Sequence, residues 1–414
     1  MKREQTHLPS LLASILFSVS GLFLLGIGLL IGSTAIFSAF RGETIQVQQT
    51  IIFLAFAFEA ILLFAAAFFA FQRTLQKPAA DRTAFLPLSP ALIVIAVLVA
   101  AGAILLGSQI GALERVSWLI LPLLTIPAIV LPLGVLLALA ARGLPLGARW
   151  QTWSVLGLSM SLAPFLLLIL EALVAIVLLI GVVAYIMTQP ELVQELQAIS
   201  RQVMILGPQS EAARDLLSPF LTRPGVIVTA LLYIAILVPA IEEVLKPLGV
   251  WLFAGKLESA AQGFTLGALS GAGYGLIETI GISAQGPGDW AGLLFSRIGT
   301  GLLHITTSAL VGAAIVAAWR ERRYLRLLGV YLFAVLLHGL WNAFAMLFSF
   351  SELAESLAQS GWLQAIRPML ITAIGILAVA LFVILILANR DIRKTISAPA
   401  LQTSIPADFT DQTS

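Results

Sequence analysis

Long apolar runs separated by short polar links constrain this chain more than any other feature. A helix that spans a bilayer needs about 20 consecutive apolar residues. Ten runs of suitable length centre on residues 11–37, 51–71, 91–108, 118–141, 158–187, 228–254, 263–283, 298–319, 327–350 and 369–388. Composition supports lipid as the solvent for most of the chain. Hydrophobic residues make up 59% and charged residues 11%, where a soluble domain carries about 25% charged residues. The first run is too long for a cleavable signal and reads as a retained anchor. Cysteine is absent, which excludes disulfides, thiolate metal sites and cysteine nucleophiles. A net charge of +2 without a basic tract gives no support for a nucleic-acid partner. The fold class expected is all-α, a polytopic membrane helix bundle of about ten transmembrane helices.

Charge asymmetry orients the bundle. With the N-terminus in the cytoplasm and ten alternating spans, only Arg41, Arg115, Arg201, Arg214, Arg223, Arg297 and Arg367 of the 23 basic residues fall outside. The short link carrying Arg320, Arg322, Arg323 and Arg326 is the strongest cytoplasmic marker. Both termini are therefore expected inside. The longest loop, 188–223, falls outside and carries Leu192, Val193, Leu196 and Ile199 at helical spacing, which predicts a short amphipathic helix at the outer interface. The chain divides into an N-terminal membrane region (1–225), a polar-containing core (226–350), a final span (351–396) and a polar tail (397–414) expected to be disordered.

Ionisable residues are costly within a span and need a partner or a purpose. The first five spans hold only Glu59 and Glu171 near their centres, expected to face the bundle and bond to hydroxyls or amides. The next four hold Glu242, Glu243, Lys246, Glu278, His304 and His338, plus Asn342. Lys246 follows Glu242 by four residues and Glu243 by three, so it reaches either carboxylate along one helix face. Pro239 and Pro247 deprive the carbonyls of Ala235 and Glu243 of their helical donors. Unpaired backbone at membrane depth points to protein or water around it. Gly263, Gly267, Gly271 and Gly275 lie on one stripe with Glu278, a pattern of close helix packing. Gly301, His304, Ser308 and Gly312 form a second stripe, extended by Arg297. His338 and Asn342 stand one turn apart. By depth, Glu242, Glu243 and His338 fall near the midplane, with Glu278 and His304 roughly 6–10 Å further out. One hydrated cavity lined by all of them is expected.

In this order, Glu242-Glu243-x-x-Lys246, a glycine-rich span ending in Glu278, His304 followed by Gly312, and His338-Gly-x-x-Asn342 resemble the PrsW family of intramembrane proteases, which is related to the CAAX-processing glutamate-type endopeptidases. The resemblance covers about 235–348. It departs from the family where Thr279 follows the second-motif glutamate, a place often held by Asn, and in the five additional spans before the core. The resemblance implies an intramembrane endopeptidase acting on a membrane-anchored protein substrate in a bacterial-type cell membrane. It implies a water activated by Glu242 or Glu243, an oxyanion stabilised by His338 and Asn342, and Glu278 and His304 as further site residues. Lys246 and Arg297 carry less weight. Zinc held by Glu243, His304 and His338 is one form of this chemistry and metal-free glutamate catalysis the other. Buried Glu and His residues also suit a proton-coupled transporter, although no internal repeat is visible. A non-catalytic membrane regulator is the third reading.

Overall fold

The computed structural model describes residues 7–84, 89–111, 113–207, 210–283, 290–356 and 361–397. They are almost wholly helical, and among them the only β-pairing is an isolated antiparallel bridge between Thr83 and Ala148. In chain order the helices are α1 (Leu8–Phe40), α2 (Val47–Thr74), the short α3 (Pro78–Asp81), α4 (Pro90–Gly111), α5 (Glu114–Ala140), α6 (Arg149–Met160) and α7 (Leu162–Met187). The loop after α7 holds α8 (Pro190–Leu206) and α9 (Glu211–Leu221). The sixth apolar run is broken into α10 (Pro224–Leu231), a π-helical turn (Leu232–Leu237), α11 (Val238–Leu245), α12 (Leu248–Phe253) and a 3₁₀ turn (Ala254–Lys256). Then follow α13 (Ala260–Ser283), α14 (Trp290–Glu321), α15 (Tyr324–Ser356) and α16 (Trp362–Ser397). The tail expected to be disordered lies, beyond Ser397, outside the described residues.

Among the described residues, nine helical segments are long and apolar enough to cross a membrane, which makes this an integral multi-pass membrane protein. Large apolar side chains such as Leu30, Leu168, Val177 and Ile376 point outward, the arrangement that lipid rather than water rewards. The seventh sequence run falls outside that set of nine. It forms α13, and its glycine and hydroxyl content dilutes its hydropathy. Its position explains this: residues 261–276 are buried without interruption. A helix enclosed by other helices meets no lipid and needs no greasy surface.

Small residues set how closely α13 approaches α14. A Cβ on Gly263, Gly267 or Gly271 would collide with the carbonyl oxygens of Gly312, Ser308 and His304, respectively. Gly275 differs, since its Cβ would meet nothing nearer than His304 Cδ2 at 3.5 Å. The glycine stripe and the Gly301–His304–Ser308–Gly312 stripe thus pack face to face. This contact carries His304 to the face of α13 that bears Tyr274 and Glu278.

The fifth run, read as one segment, is interrupted at Ser161, whose φ of −127° and ψ of −80° separate α6 from α7. The amphipathic helix expected in the following loop is α8, which has no buried residue. Arg223, at the start of α10, pairs with Glu195 of α8 through its two terminal guanidinium nitrogens. That pairing holds the Glu195 carboxyl below the usual range and ties the loop to the broken span.

Candidate intramembrane active site

The broken span owes its shape to proline. Pro239 cannot donate to Ala235, and the turn before it widens into a π-helix in which Val238 N–H reaches Tyr233 O. Neighbouring side chains then satisfy carbonyls along the span. Asn342 Nδ2 donates to Ile234 O at 3.0 Å, Tyr331 to Ala240 O at 2.8 Å, Trp251 to Val244 O at 2.9 Å and Ser270 to Lys246 O at 2.5 Å. Gly339 presses so close to Ala235 O that any side chain there would collide with it. Much of the irregular backbone expected to border water is therefore held by protein groups, which is the other way membranes tolerate it.

Within this frame the ionisable residues of four spans converge. Lys246 is wholly buried, and its Nζ lies 2.5 Å from Glu243 Oε1, 3.6 Å from Glu242 Oε2, 3.0 Å from His304 Nδ1 and 3.3 Å from His338 Nδ1. Glu243 Oε1 also receives His338 Nδ1 at 2.8 Å and the Thr307 hydroxyl at 3.2 Å. Glu278 Oε2 meets His304 Nε2 and Arg297 Nη2, each at 2.7 Å. Arg297 Nε donates to Thr279. The two imidazole rings meet edge to face at 5.4 Å, and Tyr274 packs edge-on against His304 at 5.1 Å.

The two adjacent carboxylates have different surroundings. Glu243 is fully buried and its Oε1 takes three donors, while its Oε2 has no hydrogen-bond partner. Glu242 Oε2 is buried, has no hydrogen-bond partner, and faces His338 Nε2 across 3.8 Å. The Glu278 side chain keeps 30% exposure, the most of the cluster's carboxylates. Glu242, Glu243, Lys246, Glu278, Arg297, His304 and His338 are thus brought together. Asn342, one turn from His338 on α15, gives one of its two amide hydrogens to the π-helical turn. Glu171 lies on α7, and its carbonyl receives the Tyr233 hydroxyl at 3.1 Å. Glu59 is buried in α2 apart from the cluster. Each of these two keeps a buried carboxylate oxygen without a hydrogen-bond partner, contrary to the bonds to hydroxyls or amides expected for them. Tyr274 and Thr307 join the cluster without a sequence signal of their own beyond spacing, Tyr274 one turn before Glu278 and Thr307 three residues after His304.

A family model for PrsW family intramembrane metalloproteases matches residues 163–383, just over half of the 414-residue chain. The chain belongs to the PrsW family. It is an intramembrane protease by that membership, with a membrane-embedded substrate and the bilayer as its setting. No curated protein and no solved structure matches it.

The description of PrsW proteins as metalloproteases makes the donor set a question of fit. Glu242, His304 and His338 can hold a metal ion, with one ligand atom from each lying within 4.8 Å of the others. Two imidazole nitrogens and one carboxylate oxygen suit zinc with an open position. Glu278 on His304 and Glu243 on His338 stand where orienting carboxylates commonly do. The trio differs in one member from the sequence expectation: Glu242 replaces Glu243, which Lys246, His338 and Thr307 already engage. In this PrsW protein the Lys246 ammonium also touches His304 Nδ1 and lies close to Glu242. A metal ion and a charged Lys246 therefore compete for the same donors.

Proposed function

We propose that the protein hydrolyses a peptide bond of a membrane-anchored protein substrate, with Glu242 as the base that activates water. The observation that carries this reading is Glu242 Oε2, which has no hydrogen-bond partner, lies 3.6 Å from Lys246 Nζ and faces His338 Nε2 at 3.8 Å. A water held at hydrogen-bonding distance from both atoms sits at the apex of a triangle whose base is that separation. Glu242 takes its proton as the oxygen attacks the scissile carbonyl, and returns it to the leaving amine. A positioned general base contributes roughly 10²–10⁴-fold.

The neighbours prepare this step. His338 donates from Nδ1 to Glu243 and so presents its Nε2 lone pair to the water, the way a buried carboxylate orients a catalytic imidazole. Glu243 stays anchored by Lys246 and Thr307 and acts as the orienting group, not the base. The positive field of Lys246 and the remaining amide hydrogen of Asn342 meet the oxyanion of the tetrahedral intermediate, where preorganised donors matter most. Glu278, braced by Arg297, fixes His304, which accepts from Lys246 and holds that ammonium in place. In the zinc form Glu242, His304 and His338 would hold the ion, and it would polarise the carbonyl and acidify water in place of base catalysis by Glu242. The protein would work in a bacterial-type cell membrane with both termini in the cytoplasm.

The test is cleavage of a co-expressed single-span substrate. Glu242→Gln and His338→Ala should each abolish cleavage at unchanged protein level. If both variants cleave normally, the protease chemistry lies elsewhere. Elemental analysis of active protein separates the two forms of the mechanism: activity without stoichiometric zinc, insensitive to strong chelators, assigns the cation's role to Lys246.

A further inference from the structure

At the end of the bundle where the described chain begins, five chain segments enclose a cavity of about 500 Å³, well apart from the polar cluster. Its walls include His7 ahead of α1, Arg73 in the last turn of α2, Asp81 of α3, Trp150 of α6, and Lys256 and Glu258 before α13. The Thr83–Ala148 bridge, with Arg149 N–H on Arg82 O and Ala84 N–H on Gly147 O, each at 2.9 Å, fixes one side. Most of the lining is polar, and its charges balance at two cations against two carboxylates. Arg73 Nη1 meets Asp81 at 2.6 Å, yet its buried Nε has no hydrogen-bond partner. Its guanidinium lies 5.7 Å above the Trp150 ring, and His7 meets the same ring edge-on at 5.4 Å. Lys256 is exposed and has no carboxylate partner among the described residues. Leu8, Leu75 and Leu252, each next to or near a lining residue in the chain, are exposed apolar side chains.

We propose that this cavity binds the headgroup of a zwitterionic phospholipid. The Arg73 guanidinium edge and Lys256 take the phosphate, Glu258 and the Asp81 oxygen not paired with Arg73 face the amine, and the exposed leucines meet the acyl chains. Basic pockets between transmembrane helices take anionic headgroups; here two carboxylates beside the two cations instead match a headgroup carrying both signs of charge. The volume is also far larger than an inorganic phosphate would fill. His7 reports on the same field: burial, and then Arg73 and Lys256, hold its pKa below the usual imidazole value. A phosphate seated between those cations opposes them and raises it.

The full chain, purified in detergent and stripped of lipid, is titrated with dioctanoyl phosphatidylethanolamine and followed by native mass spectrometry and by the His7 imidazole resonance. The chain has three histidines, so His7 can be assigned. The expected result is one saturable lipid, an upward shift of the His7 titration, and about tenfold weaker binding in Lys256→Gln and in Arg73→Gln. Arg326→Gln, an exposed change on α15 outside the cavity, should bind as the wild type does. Lys256 is exposed, so its substitution leaves folding intact and the comparison valid even if Arg73→Gln misfolds. Wild-type affinity in Lys256→Gln, equal weakening in Arg326→Gln, or absence of a saturable lipid would overturn the proposal. Soluble phosphoethanolamine binding as tightly as the lipid would overturn the membrane source.

Discussion

Four side chains that can accept a proton or a hydrogen bond surround the Lys246 ammonium: Glu242, Glu243, His304 and His338. A fully buried lysine is sustained only by such company, because removing an ion from water costs several kcal/mol. The converse governs its neighbours, since without Lys246 two adjacent carboxylates would face each other in a low-dielectric interior. Lys246→Met should therefore destabilise the protein by about 3–5 kcal/mol, read as a lower unfolding midpoint in detergent. Adding Glu243→Gln should recover part of the loss, as expected for groups in one network. A Lys246→Met protein as stable as the wild type would show that the carboxylates do not depend on the ammonium. The Glu–Lys spacing along one helix was legible in the sequence. That the same ammonium also meets two histidines from other spans was not, because spacing within a helix says nothing about the rotation of its neighbours. Tyr274 and Thr307 were silent for another reason: hydroxyl-bearing residues are common in membrane helices and carry no burial cost that singles them out.

Two helices place these residues, one by breaking and one by thinning. The break was legible from Pro239 and Pro247. Which side chains would bond carbonyls along the broken span was not, as Asn342, Tyr331 and Ser270 lie 24 to 108 residues from their acceptors. The thinning of α13 was legible as a glycine stripe, but its four members differ in a way that spacing hides. Gly271 lies against the carbonyl of His304, and backbone cannot swing aside as a side chain can. Gly275 faces only the edge of the His304 ring at ordinary contact distance. Gly271→Ala should push α14 away, lower stability by about 1–3 kcal/mol and impair cleavage by moving His304 off Glu278. Gly275→Ala should change the unfolding midpoint little. Parallel thermal denaturation and substrate cleavage of the two variants check this, and equal effects would mean that the stripe, not the individual contact, sets the approach.

At the scale of the whole chain, the family match begins at residue 163, while the packing that encloses the site begins much earlier. Thr265 of α13 donates to Pro145 O at 2.6 Å. The absent side chain of Gly273 leaves room for Leu156 and Ser159 of α6, that of Gly301 for Leu133 of α5, and that of Gly107 in α4 for Trp290 of α14. On the far side of the match, Asn389 of α16 donates to Ala140 O at 2.8 Å and Arg142 O at 3.0 Å. Helices outside the matched segment therefore cover the polar, glycine-rich faces of α13 and α14, surfaces unfit for lipid. A chain shortened to residues 163–383 would expose those faces to hydrocarbon, where unsatisfied polar groups are costly. It should fail to accumulate, or migrate as aggregate on size-exclusion chromatography. Supplying residues 1–162 as a separate chain should restore a soluble complex in detergent, because the lost contacts lie between helices and need no covalent link. If the shortened chain instead purifies as a stable, cleaving protein, the N-terminal helices are an appendage and the enclosure of α13 is not what stabilises the site.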